Sequence, residues 1–223
     1  MKVSYKFDFH VHSKYSYDSI SFLKKILKTA KKKGLSGIAI TDHETIQGAI
    51  KLFKINKDKN FKIIIGSEIK TECGDVIGLF LKKEIKSREC FEVIKEIKLQ
   101  GGIVVLPHPF KKTSKLTQEL LSKVDVIEVF NSRLNKEQNQ KAQKLAQEMR
   151  KPGISGSDAH LISEIGNSYV TFNNISEIKE KILKGDCIIY GISSPKYVHY
   201  VSAFIGNCRK GSLGKTIFKM VFK

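Results

Sequence analysis

The chain has 223 residues, of which 40 are Lys or Arg and 22 are Asp or Glu, so its formal net charge at pH 7 is +18. No apolar run reaches the roughly 18 residues of a membrane-spanning helix, and the charged start does not resemble a signal peptide, so we expect a cytoplasmic protein. The charge favours anionic partners, including nucleic acid and phosphorylated small molecules. Lysine spread over every segment fits a solvated surface equally well.

The four cysteines are scattered along the chain, at positions 73, 90, 187 and 208. None forms a Cys-x-x-Cys pair, so neither a zinc ribbon nor a redox motif is indicated. Free thiols in a reducing compartment are the expected state.

Nine apolar, β-rich segments recur along the chain and predict strands. They are Tyr5–His10, Gly37–Thr41, Lys62–Gly66, Val76–Leu81, Ile103–Pro107, Val124–Phe130, Gly153–Gly156, Tyr169–Phe172 and Cys187–Gly191. Several are nearly continuous runs of Ile, Val and Leu, which is typical of parallel strands covered on both faces.

Amphipathic stretches between these segments predict four helices. They are Ser19–Lys33, with a serine start and a glycine just past its end, and Ser87–Gln100, Lys136–Arg150 and Ser176–Lys184. The alternation predicts βα units around a closed or open parallel sheet.

Residues 1–205 are expected to form one domain. The basic, amphipathic C-terminal tail, residues 206–223, carries Lys215, Lys219 and Lys223 on one helical face. Docking of this tail on the domain is favoured over binding to a membrane surface, because so short a helix needs tertiary support.

Five of the six histidines lie at the ends of predicted strands. His10 and His12 project from the same face of the first strand, because side chains two apart in a strand share a face. His43, His108 and His160 follow later strands, as do the acidic residues Glu68 and Asp158. In parallel βα folds these ends meet at one edge, so the side chains should converge. His199 has no such context and is expected to be an ordinary surface or core residue.

Imidazole and carboxylate ligands without thiolate favour Zn, Mn or Fe in a hydrolytic site. One zinc ion takes about four to five ligands, so seven or eight ligands imply two or three divalent ions, with a carboxylate such as Glu68 bridging. Paired metals could hold a bridging hydroxide as the nucleophile for phosphoryl displacement.

Six short stretches together resemble the motifs of the PHP (polymerase and histidinol phosphatase) family. In order they are "DFHVHSKYSYDS", "AITDHETIQG", "GSE", "VVLPHPF", "IEVFNSR" and "GSDAH", and the resemblance runs from about Asp8 to Gly166. The family implies an α/β fold, a distorted TIM-like (β/α)7 barrel with a metal cluster at the C-terminal ends of the strands.

The resemblance implies a ligand set of three groups. His10, His12, Glu68 and Asp158 would hold one ion; Glu68 and His108 a second; and Asp18, His43 and His160 a third. Catalytic roles fall on Glu68, Asp158 and His160. Asp8 and Asp42 would orient imidazoles.

One departure from the family pattern concerns the second ion. Family phosphatases often carry another histidine where this chain has Asp75, in "GDVIGL". Asp75 would bind the second ion itself, or that ion would be weakly held or of another type. A two-ion site is therefore more credible than three full sites.

Asn131 and Arg133 follow a strand in a neighbourhood that contacts substrate in similar proteins. An arginine there suits a phosphate, although a surface arginine is an equal alternative. Lys111 and Lys112 are weaker candidates for the same role.

These features predict a metal-dependent phosphoesterase that hydrolyses phosphate esters of a small molecule, nucleotide or oligonucleotide. Two alternatives remain open. One is a non-catalytic RNA- or DNA-binding barrel resembling the ribonuclease P p30 subunit, which would be expected to lack the metal ligands. The other is a metal-stabilised structural domain with a vestigial site.

Overall fold

Strands and helices alternate along most of the chain in the computed structural model, which describes residues 4–111 and 114–211. Each of the nine predicted strands is present. The strands are β1 (Tyr5–Val11), β2 (Gly37–Ile40), β3 (Lys62–Thr71), β4 (Gly74–Leu79), β5 (Ile103–Leu106), β6 (Val126–Asn131), β7 (Gly153–Gly156), β8 (Ser168–Phe172) and β9 (Ile188–Gly191).

The described helices include the four predicted ones, with later starts or earlier ends, and three that were not predicted. They are α1 (Leu23–Lys32), α2 (Gln47–Ile55), α3 (Cys90–Leu99), α4 (Gln118–Lys123), α5 (Lys136–Glu148), α6 (Ile178–Lys184) and α7 (Tyr197–Arg209); α2, α4 and α7 are the additional helices. The predicted serine start of α1 is wrong: the Ser19 hydroxyl donates to the backbone carbonyls of His12 and His160, and the helix begins at Leu23.

The strands form one sheet in the order β7-β6-β5-β4-β3-β2-β1-β8-β9. Seven strands run in one direction, because β4 and β8 are each antiparallel to both of their neighbours. A wholly parallel sheet is therefore the wrong expectation for these two strands. The β3–β4 hairpin also lengthens β3, so that Glu68 lies inside this strand and not after it.

The sheet curls into a nearly closed barrel, and strand β1 is where it closes. The first half of β1, Tyr5 to Phe7, pairs with β8. Its far end instead forms a parallel bridge from Val11 to Ala159, just past β7. The C-terminal ends of β1 and β7 therefore lie side by side, which brings the loops that follow them together.

One apolar cluster fills the barrel interior. It draws a residue from each of eight strands, namely Phe7, Ala39, Ile64, Ile77, Ile103, Val126, Ile154 and Val170. The rings of Phe7, Phe9 and Phe172 pack with centroids 5.8 to 6.2 Å apart. Each fully buried side chain of this size contributes about 1.5–3 kcal/mol to folding, so the core holds the strand ends in fixed positions.

Two strands carry one extra residue near the rim. Between Asp8 and Val11, β1 advances three residues while β2 advances two. Between Glu128 and Phe130, β6 advances two residues while β7 advances one. Such bulges bend a strand and redirect side chains, often beside functional sites.

Helix α7 crosses position 205, the expected end of the domain. The domain boundary and the docking of the tail stay predictions, because residues 212–223 lie outside the described part of the chain, as does Lys112. Among the helices of the described residues, none has the length and apolar character needed to span a membrane.

Candidate metal centre

Eight predicted ligands meet at the rim formed by the C-terminal strand ends. They are His10, His12, Asp18, His43, Glu68, His108, Asp158 and His160. All but Asp18 and His43 are buried. The convergence predicted from their positions at strand ends is thus present in the structure.

The first group joins β1, β3 and the loop after β7. His10 Nε2 and His12 Nε2 are 3.0 Å apart. Glu68 Oε2 lies 3.5 and 3.3 Å from these two nitrogens, and Asp158 Oδ1 lies 3.5 and 3.4 Å from them. Glu68 and Asp158 therefore each bring an oxygen close to the paired His10 and His12 nitrogens.

Both imidazoles of this group are held by hydrogen bonds on their other nitrogen. Glu128 Oε1 lies 3.0 Å from His10 Nδ1, and Ser16 Oγ lies 2.9 Å from His12 Nδ1. Because the Ser16 hydroxyl donates to Asp42, its oxygen accepts the proton of His12 Nδ1. In the neutral imidazoles both Nε2 atoms then carry lone pairs that face each other, as metal-ligating histidines do.

Asp42 thus orients His12 through Ser16, as expected of a residue that supports an imidazole. Asp8 acts on the backbone instead. It accepts hydrogen bonds from the amides of His10, Ser157 and Gly166. Burial raises the pKa of the Asp8 carboxyl to about 6, against the lowering effect of these hydrogen bonds.

The second group is smaller. Glu68 Oε1 lies 2.8 Å from His108 Nε2, whereas Asp75 Oδ2 is 3.9 Å from that nitrogen. The ammonium of Lys111 lies 3.5 Å from the same Asp75 oxygen. A cationic side chain therefore already faces the carboxylate that replaces the family histidine.

The third group lies on the other side of Glu68. Asp18 Oδ2 is 3.1 Å from His160 Nε2 and 3.4 Å from His43 Nε2, while His43 Nδ1 is 3.2 Å from Glu68 Oε2. His160 Nδ1 contacts the Asp158 carbonyl at 2.8 Å, which leaves Nε2 available as a ligand atom.

The separations measured in the first group are close to those around a tetrahedral cation. Ligand atoms of a tetrahedral zinc with bonds of 2.0–2.1 Å lie roughly 3.3 Å apart, and five separations in this group lie between 3.0 and 3.5 Å. In addition, Asp18 Oδ1 and His108 Nδ1 are buried and have no hydrogen-bond partner among the described residues. Such orphan atoms are costly unless a ligand contacts them, so donor set and geometry both suit metal ions.

The charges of the centre also favour a cation. Burial raises the pKa of Glu68 and Asp158, but neighbouring histidines outweigh it and hold both values well below the usual range. Burial lowers the pKa of His10 and His12, yet the surrounding carboxylates raise the first well above its ordinary value and the second to about 9. The ionised carboxylates therefore stabilise a positive charge beside them. Protonated histidines provide this charge when no metal ion is bound.

His160 behaves differently. Burial and the charge of His12 lower its pKa to about 4. Asp18 faces it with a pKa far below the usual range, because its contacts with His160 and His43 outweigh the effect of burial. The third group thus pairs a neutral imidazole with an ionised carboxylate, the protonation states that a metal ligand set needs.

The backbone around the centre is tightly constrained. His108 and Asp158 have φ angles of 27° and 52°, a region that costs non-glycine residues about 1–3 kcal/mol. Gly156 has no room for a side chain, because a Cβ there would collide with the Cβ of His10. Strain and close packing of this kind cluster at functional sites.

The two predicted substrate residues are both engaged within the protein. Asn131 is fully buried, and its amide nitrogen lies 2.9 Å from Glu128 Oε2 and 3.3 Å from Asp158 Oδ2. Arg133 forms a two-point ion pair with Glu164, with N–O distances of 2.8 and 3.1 Å. This geometry favours a positioning role for Asn131 and a structural ion pair for Arg133, whose guanidinium also borders the pocket.

Sequence reasoning missed several residues of the site, among them two glutamates and a histidine. Glu128 contacts His10 and also accepts the backbone amide of His108. Glu164 accepts the amides of His160 and Leu161 besides pairing with Arg133. His199 lines the pocket, contrary to the expectation that it is an ordinary residue. Glu128 stands in a quoted motif, but only the fold shows that it faces an imidazole.

A pocket of about 550 Å³ opens above the ligands. Besides them it is lined by Tyr17, Lys70, Lys111, His199 and Lys210. Tyr17 stacks on His43 with ring centroids 4.9 Å apart, and Lys210 Nζ lies 3.8 Å from the centre of the Tyr17 ring. The pocket thus combines an acidic and histidine floor with a wall of cations and one aromatic ring.

Barrel and ligands define a class: an α/β barrel with a candidate multi-ion centre at its strand ends. The chain belongs to the PHP domain family, whose profile matches residues 8–184. An uncharacterized protein of Methanocaldococcus jannaschii is 41% identical over 140 residues, which cover 57% of this chain and 82% of the relative.

Solved structures share the fold at low sequence identity. A two-domain protein from Bacteroides vulgatus, containing a predicted PHP-like metal-dependent phosphoesterase, superposes with a TM-score of 0.74 at 19% identity, over 85% of this chain and 65% of that one. Endonuclease Q, in complex with a 27-mer duplex bearing an abasic lesion at the active site, superposes with a TM-score of 0.63 at 19% identity, over 82% of this chain and 57% of that one.

Proposed function

We propose that the protein is a metal-dependent hydrolase of phosphate esters. The observation that carries the proposal is the meeting of His10 and His12 with Glu68 and Asp158 at separations of 3.0 to 3.5 Å. Bound divalent cations such as Zn²⁺, Mn²⁺ or Fe²⁺ supply Lewis acidity and lower the pKa of water, so that a nucleophile forms at neutral pH.

The chain's own residues divide the remaining work. Glu68 contacts histidines of all three ligand groups and would fix their relative positions. Asp158 and His160 complete the first and third groups. Lys70, Lys111 and Lys210 line the pocket and would contact the non-bridging oxygens of the phosphate. Charges placed in this way stabilise the transition state of phosphoryl transfer without reorganisation.

Two ions per chain are proposed, one in the first group and one in the third. The second group offers Glu68 and His108 but only a distant Asp75, whose oxygen faces the Lys111 ammonium. Carboxylates outweigh the effect of burial and raise the pKa of Lys111, so this side chain stays charged. Its charge would take the place of a third cation.

The proposed substrate is a nucleotide or an oligonucleotide. Three lysines offer an anion-binding surface beside the centre, and several cations side by side suit the polyanionic backbone of a nucleic acid strand. The fold neighbour endonuclease Q holds DNA at its active site. A phosphorylated small molecule would use the same cations through its phosphate group alone. The cytoplasmic location stays a prediction.

The test is hydrolysis by the purified chain of a generic phosphomonoester, a generic phosphodiester, mononucleotides and a short oligonucleotide, with Mn²⁺ or Zn²⁺ added or with a chelator. The double variant His10→Ala/His12→Ala should lose turnover and part of its bound metal, while its circular dichroism spectrum stays unchanged. A double variant on the exposed face of α5, Gln143→Ala/Gln147→Ala, serves as control.

Unchanged hydrolysis in the histidine variant would remove these residues from the mechanism. Failure of the parent chain to hydrolyse any of these esters, together with tight, salt-sensitive RNA binding, would favour the binding-protein alternative. We disfavour that alternative because so many buried polar groups at one point are costly to keep without a cation.

A further inference from the structure

Two cysteines that are distant in sequence meet outside the histidine centre. Cys73 lies in the turn between β3 and β4, and Cys90 is the first residue of α3. Their sulfur atoms and a carboxylate oxygen of Glu72 all lie within 4.8 Å of one another. Cysteine spacing in the sequence does not indicate this arrangement, and both thiols are free.

The geometry within this cluster matches a thiolate-metal site. Cys73 Sγ is 3.7 Å from Glu72 Oε1. Sulfur and oxygen ligands of a tetrahedral zinc, with bonds near 2.3 and 2.1 Å, lie roughly 3.6 Å apart. Both carboxylate oxygens of Glu72 also accept the Cys90 amide, at 3.0 and 3.1 Å, so the carboxylate is already positioned.

The surroundings allow an ion to enter. Cys90 is buried, Cys73 is partly exposed and Glu72 is exposed, so the cluster opens to solvent on the Glu72 side. Hydrogen bonds from backbone amides, its own and that of Cys90, lower the pKa of Glu72, so this ligand is ionised at neutral pH. Water can fill the remaining coordination position.

We propose that Glu72, Cys73 and Cys90 form a second, thiolate-containing site that binds one Zn²⁺ ion per chain, separate from the histidine centre. On binding, each thiol loses its proton to the buffer and forms a sulfur–metal bond; no electron is transferred. Burial raises the pKa of free Cys90 to about 12, so the cation must displace that proton, and zinc binds thiolates strongly enough to do so.

Such a site would tie the β3–β4 hairpin to the start of α3. Asp75, the residue that replaces the family histidine, lies two positions after Cys73 at the start of β4. The bound ion would therefore fix the turn next to the catalytic pocket. This role is structural and does not depend on the proposed hydrolysis.

Cobalt distinguishes the two sites, because only one of them contains sulfur. The reduced chain is titrated with Co²⁺ and its near-ultraviolet thiolate-to-cobalt charge-transfer absorption is followed. We expect its plateau to correspond to one thiolate-bound cobalt per chain, in addition to the cobalt taken up by the histidine centre. Cys73→Ser and Cys90→Ser should each abolish it while the visible bands of cobalt bound to nitrogen and oxygen ligands persist.

Cys187→Ser and Cys208→Ser are the matched controls and should keep the absorption. If Cys90→Ser folds poorly, the test uses Cys73→Ser and Glu72→Gln instead, because both of these residues lie on the solvent-exposed side of the cluster. Absence of charge transfer in the parent chain, or its loss only in Cys187→Ser or Cys208→Ser, would overturn the proposal. So would thiol counting that shows a Cys73–Cys90 disulfide in the isolated chain where metal-protected thiols are expected.

Discussion

Glu128 Oε1 lies 3.0 Å from His10 Nδ1, and the two residues come from the two strands that carry a bulge near the rim. The extra residue in β1 lies between Asp8 and Val11, around His10. The extra residue in β6 directly follows Glu128. These irregularities therefore coincide with the contact that orients one imidazole of the first group.

Replacing Glu128 by Gln should weaken the centre without unfolding the chain. The amide keeps the size and an oxygen for the Nδ1–H of His10, but it removes the negative charge that makes the imidazole a better ligand. Its NH2 group also cannot accept the hydrogen bonds that Glu128 Oε2 takes from the His108 amide and from Asn131. Losses of about 10–100-fold in metal affinity or turnover are expected from such supporting residues. Competition with a chromogenic chelator measures the affinity.

Glu137→Gln provides the comparison, because Glu137 is an exposed glutamate on α5 that pairs only with Lys141 in the described contacts. Its metal affinity should match that of the parent chain. An unchanged metal affinity in Glu128→Gln would show that the charge of Glu128 does not strengthen His10 as a ligand.

In a Cys73→Ser background, which lacks the proposed thiolate site, replacing Asp75 by His should raise the metal content from two ions to three when Lys111→Ala is combined with it. The double change restores the imidazole that family phosphatases often have and removes the ammonium that faces that position. Elemental analysis of the purified variants gives the stoichiometry.

Each single variant isolates one contribution. Asp75→His alone keeps the cation of Lys111 nearby and should bind the third ion less well than the double variant. A content of three ions in the Cys73→Ser chain, with Asp75 and Lys111 unchanged, would contradict the idea that Lys111 replaces a cation.

Replacing Arg133 by Ala should destabilise the fold, since its side chain is only 8% exposed and its partner Glu164 only 1%. Removing one partner of a buried ion pair costs about 3–5 kcal/mol, because the other charge is left uncompensated. Chemical denaturation measures the free energy of unfolding. A variant of normal stability with a raised KM would instead support the substrate contact implied by the family resemblance.

Metal affinity should rise with pH between about 7 and 9. In the metal-free chain His12 keeps its proton up to a pKa of about 9, and the neighbouring carboxylates outweigh burial and raise the pKa of His10 as well. A cation must displace these protons, so affinity gains about tenfold per pH unit for each proton released. Calorimetry in two buffers of different protonation enthalpy counts the protons.

The same histidines set the pH dependence of stability. A histidine whose pKa is raised on folding stabilises the folded state fully below its unfolded value of about 6.5. That contribution disappears as pH rises through the folded value, about 9 for His12. The chelated chain should therefore lose thermal stability over this window, and the metal-loaded chain should lose less.

Much of the fold and the centre could be predicted from local sequence. Runs of Ile, Val and Leu make strands wherever they are covered on both faces, so all nine strands were found. His10 and His12 share a face because of strand geometry alone, and their Nε2 atoms are indeed 3.0 Å apart. Polar residues placed directly at strand ends meet because parallel strands end at one rim.

Other features required contacts between distant segments. The hairpin that places Glu68 inside β3 depends on an antiparallel pairing with β4. Helix α7 was not predicted, although it brings His199 and Lys210 to the pocket, because only part of it packs on the domain. The sequence indicates Arg133 as a phosphate ligand, but in the structure its guanidinium is paired with Glu164.

The sequence by itself determined which side chains could ligate a cation, because strand periodicity and strand ends are local properties of the chain. Tertiary structure alone decided which carboxylate supports His10, which cation faces Asp75, and that Cys73 lies beside Cys90. These pairings join residues far apart in sequence, and the closure of the barrel and the path of each loop bring them together.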